Sequence, residues 1–242
     1  MRRFYVPPND FRAAAAVLGA DETRHLRDVL RLRAGDEVRV FDGRGREFAA
    51  VVETIGKKET ILRVAAEVAP AAPASNLDLT LAVALLKGEK FDFVVQKAVE
   101  LGVGEIVPIA TRRADVKLKS AADFAKKCER LERIALEACK QSGRADLMPI
   151  GDLENFEEFI ERRASERVAL FAERGGEKFE AIAAGAKLTA VVGPEGGWED
   201  AEIDFARRRG AQIITLGGRV LRAETAAVAV AAVLQHRFGD LN

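Results

Sequence analysis

Two textures of apolar and polar residues divide the chain. Over residues 1–68 the apolar positions alternate in short runs: Val38 and Val40, then Phe48, Ala50 and Val52, then a run from Ile61. Asp42-Gly43 and Gly56-Lys57 separate them. A period of two marks half-buried strands and glycine-containing breaks mark turns, so this stretch predicts a small β-barrel. Residues 69–76, "APAAPASN", are small, proline-rich and without period, which predicts a linker. From residue 77 to 242 the pattern changes. "LDLTLAVALL", "EIVPI", "RVALF", "LTAVVG" and "QIITLG" are nearly continuous apolar runs, as in strands covered on both faces. Between them apolar positions recur at helical spacing, with Phe91, Val94, Val95, Ala98 and Leu101 ahead of Gly102, and Phe124, Cys128, Leu131, Ala135 and Ala138 further on. Further helices are predicted near Phe156–Arg163, Glu199–Arg209 and Glu224–Phe238. Strands alternating with helices predict an α/β domain built on a parallel sheet.

Composition narrows the function classes. The 242 residues are 48% apolar and 31% charged with a formal net charge of zero, so contact with nucleic acid would need a local patch. No apolar run approaches a membrane span, and the opening "MRRFYVPPND" lacks the apolar stretch of a signal peptide. Cys128 and Cys139 fall on roughly one face of a predicted helix and read as small core residues, not as a disulfide. Two histidines and two such cysteines make a structural metal site improbable. These features together place the chain in the cytoplasm.

The chemistry concentrates near the C-terminus. "GPEGG" at Gly193–Gly197 follows one strand and "LGGRVLRAETAA" at Leu216–Ala227 follows another. Open parallel sheets bind ligands at the carboxyl ends of their strands, and glycine permits close backbone approach. The loops lack the lysine-serine pair of a triphosphate site, so backbone groups pairing with a nucleoside suit them better. Strand-to-helix turns use glycine whatever they bind, and Glu224 and Thr225 also serve as ordinary caps of the last helix.

"GPEGGW", "LGGRVLRAETAA" and the ending "LQHRFGD" resemble the ribosomal RNA uracil-N3 methyltransferases of the SPOUT class, the RsmE family. "KGEKFDFVVQKAVELGVGEIVPI", "EACKQSGRADLMPI" and "HLRDVLRLRAGDEVRVFDGRG" extend the resemblance, in order, over nearly the whole chain. The resemblance implies a SPOUT-type parallel sheet over 77–242 with a C-terminal trefoil knot, a feature general folding rules would not predict. Before it would stand a PUA-like RNA-binding β-barrel domain. It further implies a homodimer that methylates N3 of a uridine in 16S ribosomal RNA, with S-adenosylmethionine as donor. The donor would be held by Val192, Gly193, Pro194, Glu195 and Gly196, by Leu216, Gly217, Gly218, Val220 and Leu221, and by Glu224, Thr225 and Ala226.

Uridine N3 attacks a methyl group only after losing its proton, so the protein must accept that proton or stabilise the anion. Arg222 is the candidate stabiliser, with Glu100 or Glu195 as base. For RNA the candidates are Arg3, Arg24, His25 and Arg31 in the first domain and Gln141 and Arg144 in "QSGR". Asp28 stands where many members of the family carry arginine. Two alternatives remain at this stage: a SPOUT enzyme acting on another nucleotide or a ribose 2′-hydroxyl, and an inactive RNA-binding assembly factor.

Overall fold

The computed structural model describes residues 2–12, 14–114 and 121–241. It divides into two compact units, one comprising residues up to Ala74 together with Leu136–Leu147, the other Ser75–Ala135 and the chain from Met148 onward.

The first unit contains β1 (Arg3–Tyr5), β2 (Phe11–Arg12), β3 (Ala15–Leu18), α1 (Ala20–Arg24), β4 (Glu37–Phe41), β5 (Glu47–Ile55) and β6 (Thr60–Val68). The strands form one sheet in the order β1-β4-β5-β6-β3-β2, with only β1 and β4 parallel. The alternation predicted it: Val38, Val40, Phe48, Ala50 and Val52 are all buried. Register shifts between Ala49 and Ala50 and between Val52 and Thr54 bend the long β5–β6 ladder, as bulges do. Asp42 shapes the turn between β4 and β5 by accepting from the amides of Arg44 (2.8 Å) and Arg46 (3.1 Å).

Two features differ from the sequence expectation. Ala20–Arg24 is helical and continues as a π-turn over His25–Val29, where strands were expected. Leu26 and Thr23 anchor it by burial. The segment 69–76 is also bound into the first unit up to Ala74, since Ala71 N–H donates to Glu47 Oε2 (3.1 Å) and Ala72 N–H to Gly143 O (3.0 Å).

The second unit follows the predicted βα alternation: β7 (Asp78–Ala84), α2 (Lys90–Glu100), β8 (Glu105–Ala110), α3 (Ala121–Ser142), β9 (Glu154–Asn155), α4 (Phe156–Arg162), β10 (Val168–Phe171), β11 (Glu177–Lys178), β12 (Lys187–Val192), α5 (Asp200–Arg208), β13 (Gln212–Thr215) and α6 (Ala223–Phe238). The last turns of α3 are counted with the first unit. The sheet order is β11-β13-β10-β12-β7-β8-β9, and every pair in it is parallel. Residues Leu79 to Ala84 of β7 are buried without a break, as a strand covered on both faces requires. α2 buries Phe91, Val94, Val95 and Ala98, and α6 buries Ala227, Val230, Ala231 and Leu234. Strands β7, β10, β12 and β13 end at the same edge of the sheet, and their loops lie where α/β sheets bind ligands.

Candidate methyl-donor site

Loops after β10, β12 and β13, with the start of α2, enclose one cavity of about 490 Å³, within the ~300–1,000 Å³ usual for small-molecule sites. The loop after β12 contributes Gly193, Pro194, Glu195 and Gly196, and Val192 closes the strand beneath them. Leu216, Val220 and Leu221 come from the loop after β13, followed by Arg222, Ala223 and Ala226 at the start of α6. Phe171 and Ala172 supply an apolar wall.

Packing explains the first glycine loop as much as ligand approach does. Trp198 is buried; its Nε1–H donates to Phe171 O at 2.9 Å and its ring lies 5.0 Å from that of Phe156. A Cβ on Gly193 would stand 2.8 Å from the Trp198 ring, so only glycine allows the strand end and the indole to meet. In the second loop the requirement is conformational: Gly217 has φ of 62°, a left-handed backbone that side chains disfavour.

The charges sort by depth. Lys90, the first residue of α2, places Nζ 3.0 Å from Glu195 Oε1 and 3.8 Å from Glu224 Oε2. The Oε2 atoms of both glutamates are shielded from solvent, and neither has a hydrogen-bond partner among the described residues. At the rim, Arg219 and Arg222 are exposed and form no ion pair among the described residues. Neighbouring arginines are engaged instead: Arg112 holds Glu157 (3.3 Å) and Glu199 (3.4 Å), and Arg174 holds Asp200 (2.7 Å). The hydrogen bonds that Arg112 donates to Glu157 and Glu199 raise its guanidinium above its ordinary pKa, and the bond from Arg174 lowers that of Asp200. Between the two rim arginines Val220 is 82% exposed.

An apolar wall, a carboxylate pair gathered around Lys90 and a cationic rim fit a compact cationic ligand inside and a polyanion outside. Residues 73–235 match the RNA methyltransferase domain family, and residues 18–65 match the RNA methyltransferase PUA domain. A ribosomal RNA small subunit methyltransferase E of Synechocystis sp. is 33% identical over 231 residues, covering 93% of this chain and 74% of that protein. The chain belongs to the ribosomal RNA small subunit methyltransferase E family. The member from Mycobacterium tuberculosis is 32% identical over 240 residues, covering 95% of this chain and 90% of its own. A structure of the Neisseria gonorrhoeae family member bound to S-adenosyl methionine superposes with a TM-score of 0.91 over the whole of both chains at 32% identity. A methyltransferase from Legionella pneumophila, in complex with the cofactor SAM, gives 0.90 at 32% identity, covering 99% of this chain and 98% of that one.

The residues expected to hold the donor gather here, with four set back: Gly217, Gly218, Glu224 and Thr225 do not face the cavity, although Glu224 reaches Lys90. Of the two candidate bases, Glu195 lines the cavity, whereas Glu100 ends α2 in an ion pair with Lys97 (2.8 Å) and does not. Lys90 was missed because its charged partner Glu195 is 105 residues away.

The RNA candidates divide as well. Arg24, His25 and Arg31 are exposed on the first unit, and Arg31 holds a left-handed backbone, φ 53°. Asp28, where arginine was expected, is paired with Arg27 at 2.7 Å. Gln141 is exposed. Arg3 and Arg144 are corrections. The Arg3 guanidinium donates to both oxygens of Glu47 (3.2 and 3.0 Å) and to the carbonyls of Cys139, Lys140 and Arg144. It has no donor left for a phosphate. Arg144 is buried and binds Asp146 at 2.6 Å, so it too serves the fold.

Proposed function

We propose that this chain transfers the methyl group of S-adenosylmethionine to N3 of a uridine in 16S ribosomal RNA within the small subunit. The observation that supports the reading is the polarised cavity in a chain whose relatives are named ribosomal RNA small subunit methyltransferase E: a lysine-paired carboxylate in its wall, and at the rim two arginines with no ion pair among the described residues. The donor fits on the structure's own terms, because two shielded carboxylate oxygens at or beside the cavity have no hydrogen-bond partner among the described residues and the cavity has the right size. Residues of the two glycine loops and Ala226 would hold it, and when bound it supplies a methyl group on a cationic sulfur.

The chain's own residues do the rest. Glu195 is the carboxylate placed to accept the N3 proton. Arg222, at the rim and with no ion pair among the described residues, stabilises the negative charge that the uracil then carries. Arg219 meets backbone phosphate beside the target base. A uridine must leave its stack to enter such a cavity, so the surrounding RNA rests on the rim. Exposed Arg24, His25 and Arg31 provide the second contact, through the PUA-like unit. Half-exposed Val228, Ala229, Ala232 and Val233 on α6 form a face of small apolar side chains on which a second copy packs to form the homodimer. The working compartment is the cytoplasm, where ribosomal subunits are found.

Small subunits from cells lacking this gene, incubated with the protein and methyl-labelled S-adenosylmethionine, test the reading. Nucleoside mass spectrometry should find the label on 3-methyluridine. Arg222→Ala should lower kcat about 100-fold while leaving donor affinity close to wild type. Label on another base or on a ribose would overturn the target atom; no label despite donor binding would overturn catalysis.

A further inference from the structure

At the cavity one ammonium, that of Lys90 at the start of α2, approaches two carboxylates: Glu195, which lines the cavity from the loop after β12, and Glu224, set back in the first turn of α6. Their sum is one net negative charge. Lys90 satisfies only part of what the carboxylates can accept: Glu195 Oε1 takes a hydrogen bond, Glu224 Oε2 lies beyond hydrogen-bonding distance, and both Oε2 atoms are shielded. Other charges near the cavity do not cancel this one. Glu173 is paired with Arg174, and Arg219 and Arg222 stand exposed, where water and salt screen them more strongly than groups inside.

We propose that the Lys90–Glu195–Glu224 cluster makes the cavity discriminate the charged methyl donor from its demethylated product. This rests on the methyltransferase reading above. Methyl transfer breaks the carbon–sulfur bond, leaves its electron pair on sulfur and forms the N3–carbon bond, the N3 proton having gone to the base. Sulfur thereby changes from a cation to a neutral thioether. Once Glu195 has passed its proton on to water, the cluster again carries one net negative charge, which would attract the cationic sulfur of the donor and not the neutral sulfur of the product. The cluster so favours entry of fresh donor and release of product. Lys90 sets the size of the preference by offsetting one of the two carboxylates and by holding Glu195 in place.

The test is calorimetric titration of the intact protein with S-adenosylmethionine and, separately, S-adenosylhomocysteine, at one pH and ionic strength. The quantity of interest is the ratio of the two dissociation constants. Glu224→Gln should reduce the preference for the charged donor about five-fold, and Lys90→Met should increase it by a similar factor. Lys90→Arg should return the ratio to the wild-type value. A purely structural role would weaken both ligands together and leave the ratio fixed in every variant, which overturns the inference. Failure of the wild-type protein to bind either ligand would overturn the underlying reading instead. Far-ultraviolet circular dichroism and the unfolding midpoint of each variant identify any that fails to fold, and the remaining variants then decide.

Discussion

The protein buries carboxylates in two ways, and the contrast separates fold from function. In the first unit Glu47 is fully buried and saturated: Arg3 binds both its oxygens, Arg39 approaches at 3.4 Å and the Ala71 amide donates at 3.1 Å. In the second unit Glu195 and Glu224 share one lysine, and each keeps a shielded oxygen with no hydrogen-bond partner among the described residues. A buried charge without compensation is costly, and Glu47 is fully compensated. Glu47 ties β5 to β1 and to residues 139–144, and is structural. Glu22 and Asp92 also have a shielded oxygen with no hydrogen-bond partner among the described residues, so it is the place of Glu195 and Glu224 at the cavity that assigns this pair to a ligand.

The sharpest way to break the comparison is to disturb the saturated cluster. Arg3→Met leaves Glu47 buried without its main partner and should cost about 3 kcal/mol in denaturant unfolding. Donor affinity of the folded protein should stay at the wild-type value, and a loss of affinity would erase the division of labour. Gly193→Ala sits on the border between the two roles. Its Cβ must fit against the Trp198 ring at 2.8 Å, so stability should fall by about 2 kcal/mol and donor affinity should drop with it, read by unfolding and calorimetry together. Arg219→Ala should have the smallest effect on the fold, within about 0.5 kcal/mol. It should raise KM for ribosomal subunits about five-fold and reduce the salt slope of binding by about one.

The sequence made the second unit legible because its strands are continuous apolar runs and its helices have clear apolar stripes. Leu79 to Ala84 and Phe91, Val94, Val95 and Ala98 lie where that pattern puts them. The short helix and π-turn over Ala20–Val29 escaped because a five-residue helix carries too little periodicity, and no side chain caps its start. Residues of both glycine loops line one cavity, but the reason for Gly193 was not legible: its neighbour is Trp198, inside the protein. Arg3 looked like an RNA ligand because sequence shows a charge without showing its partners, the carbonyls at Cys139, Lys140 and Arg144, which lie more than a hundred positions on. Lys90 was overlooked for the same reason. Long-range pairing is what sequence patterns of local period do not contain.

The central claim is that the unsatisfied carboxylates serve the ligand while the saturated one serves the fold. Donor-induced stabilisation, measured side by side in Arg3→Met and Glu224→Gln, tests it most directly, since a ligand that binds only the folded state raises the unfolding midpoint according to its affinity. The account predicts that Arg3→Met starts from a lower midpoint but keeps the full rise on adding S-adenosylmethionine. Glu224→Gln should start near the wild-type midpoint and lose much of that rise. The reverse pattern, or an equal loss in both, would contradict it.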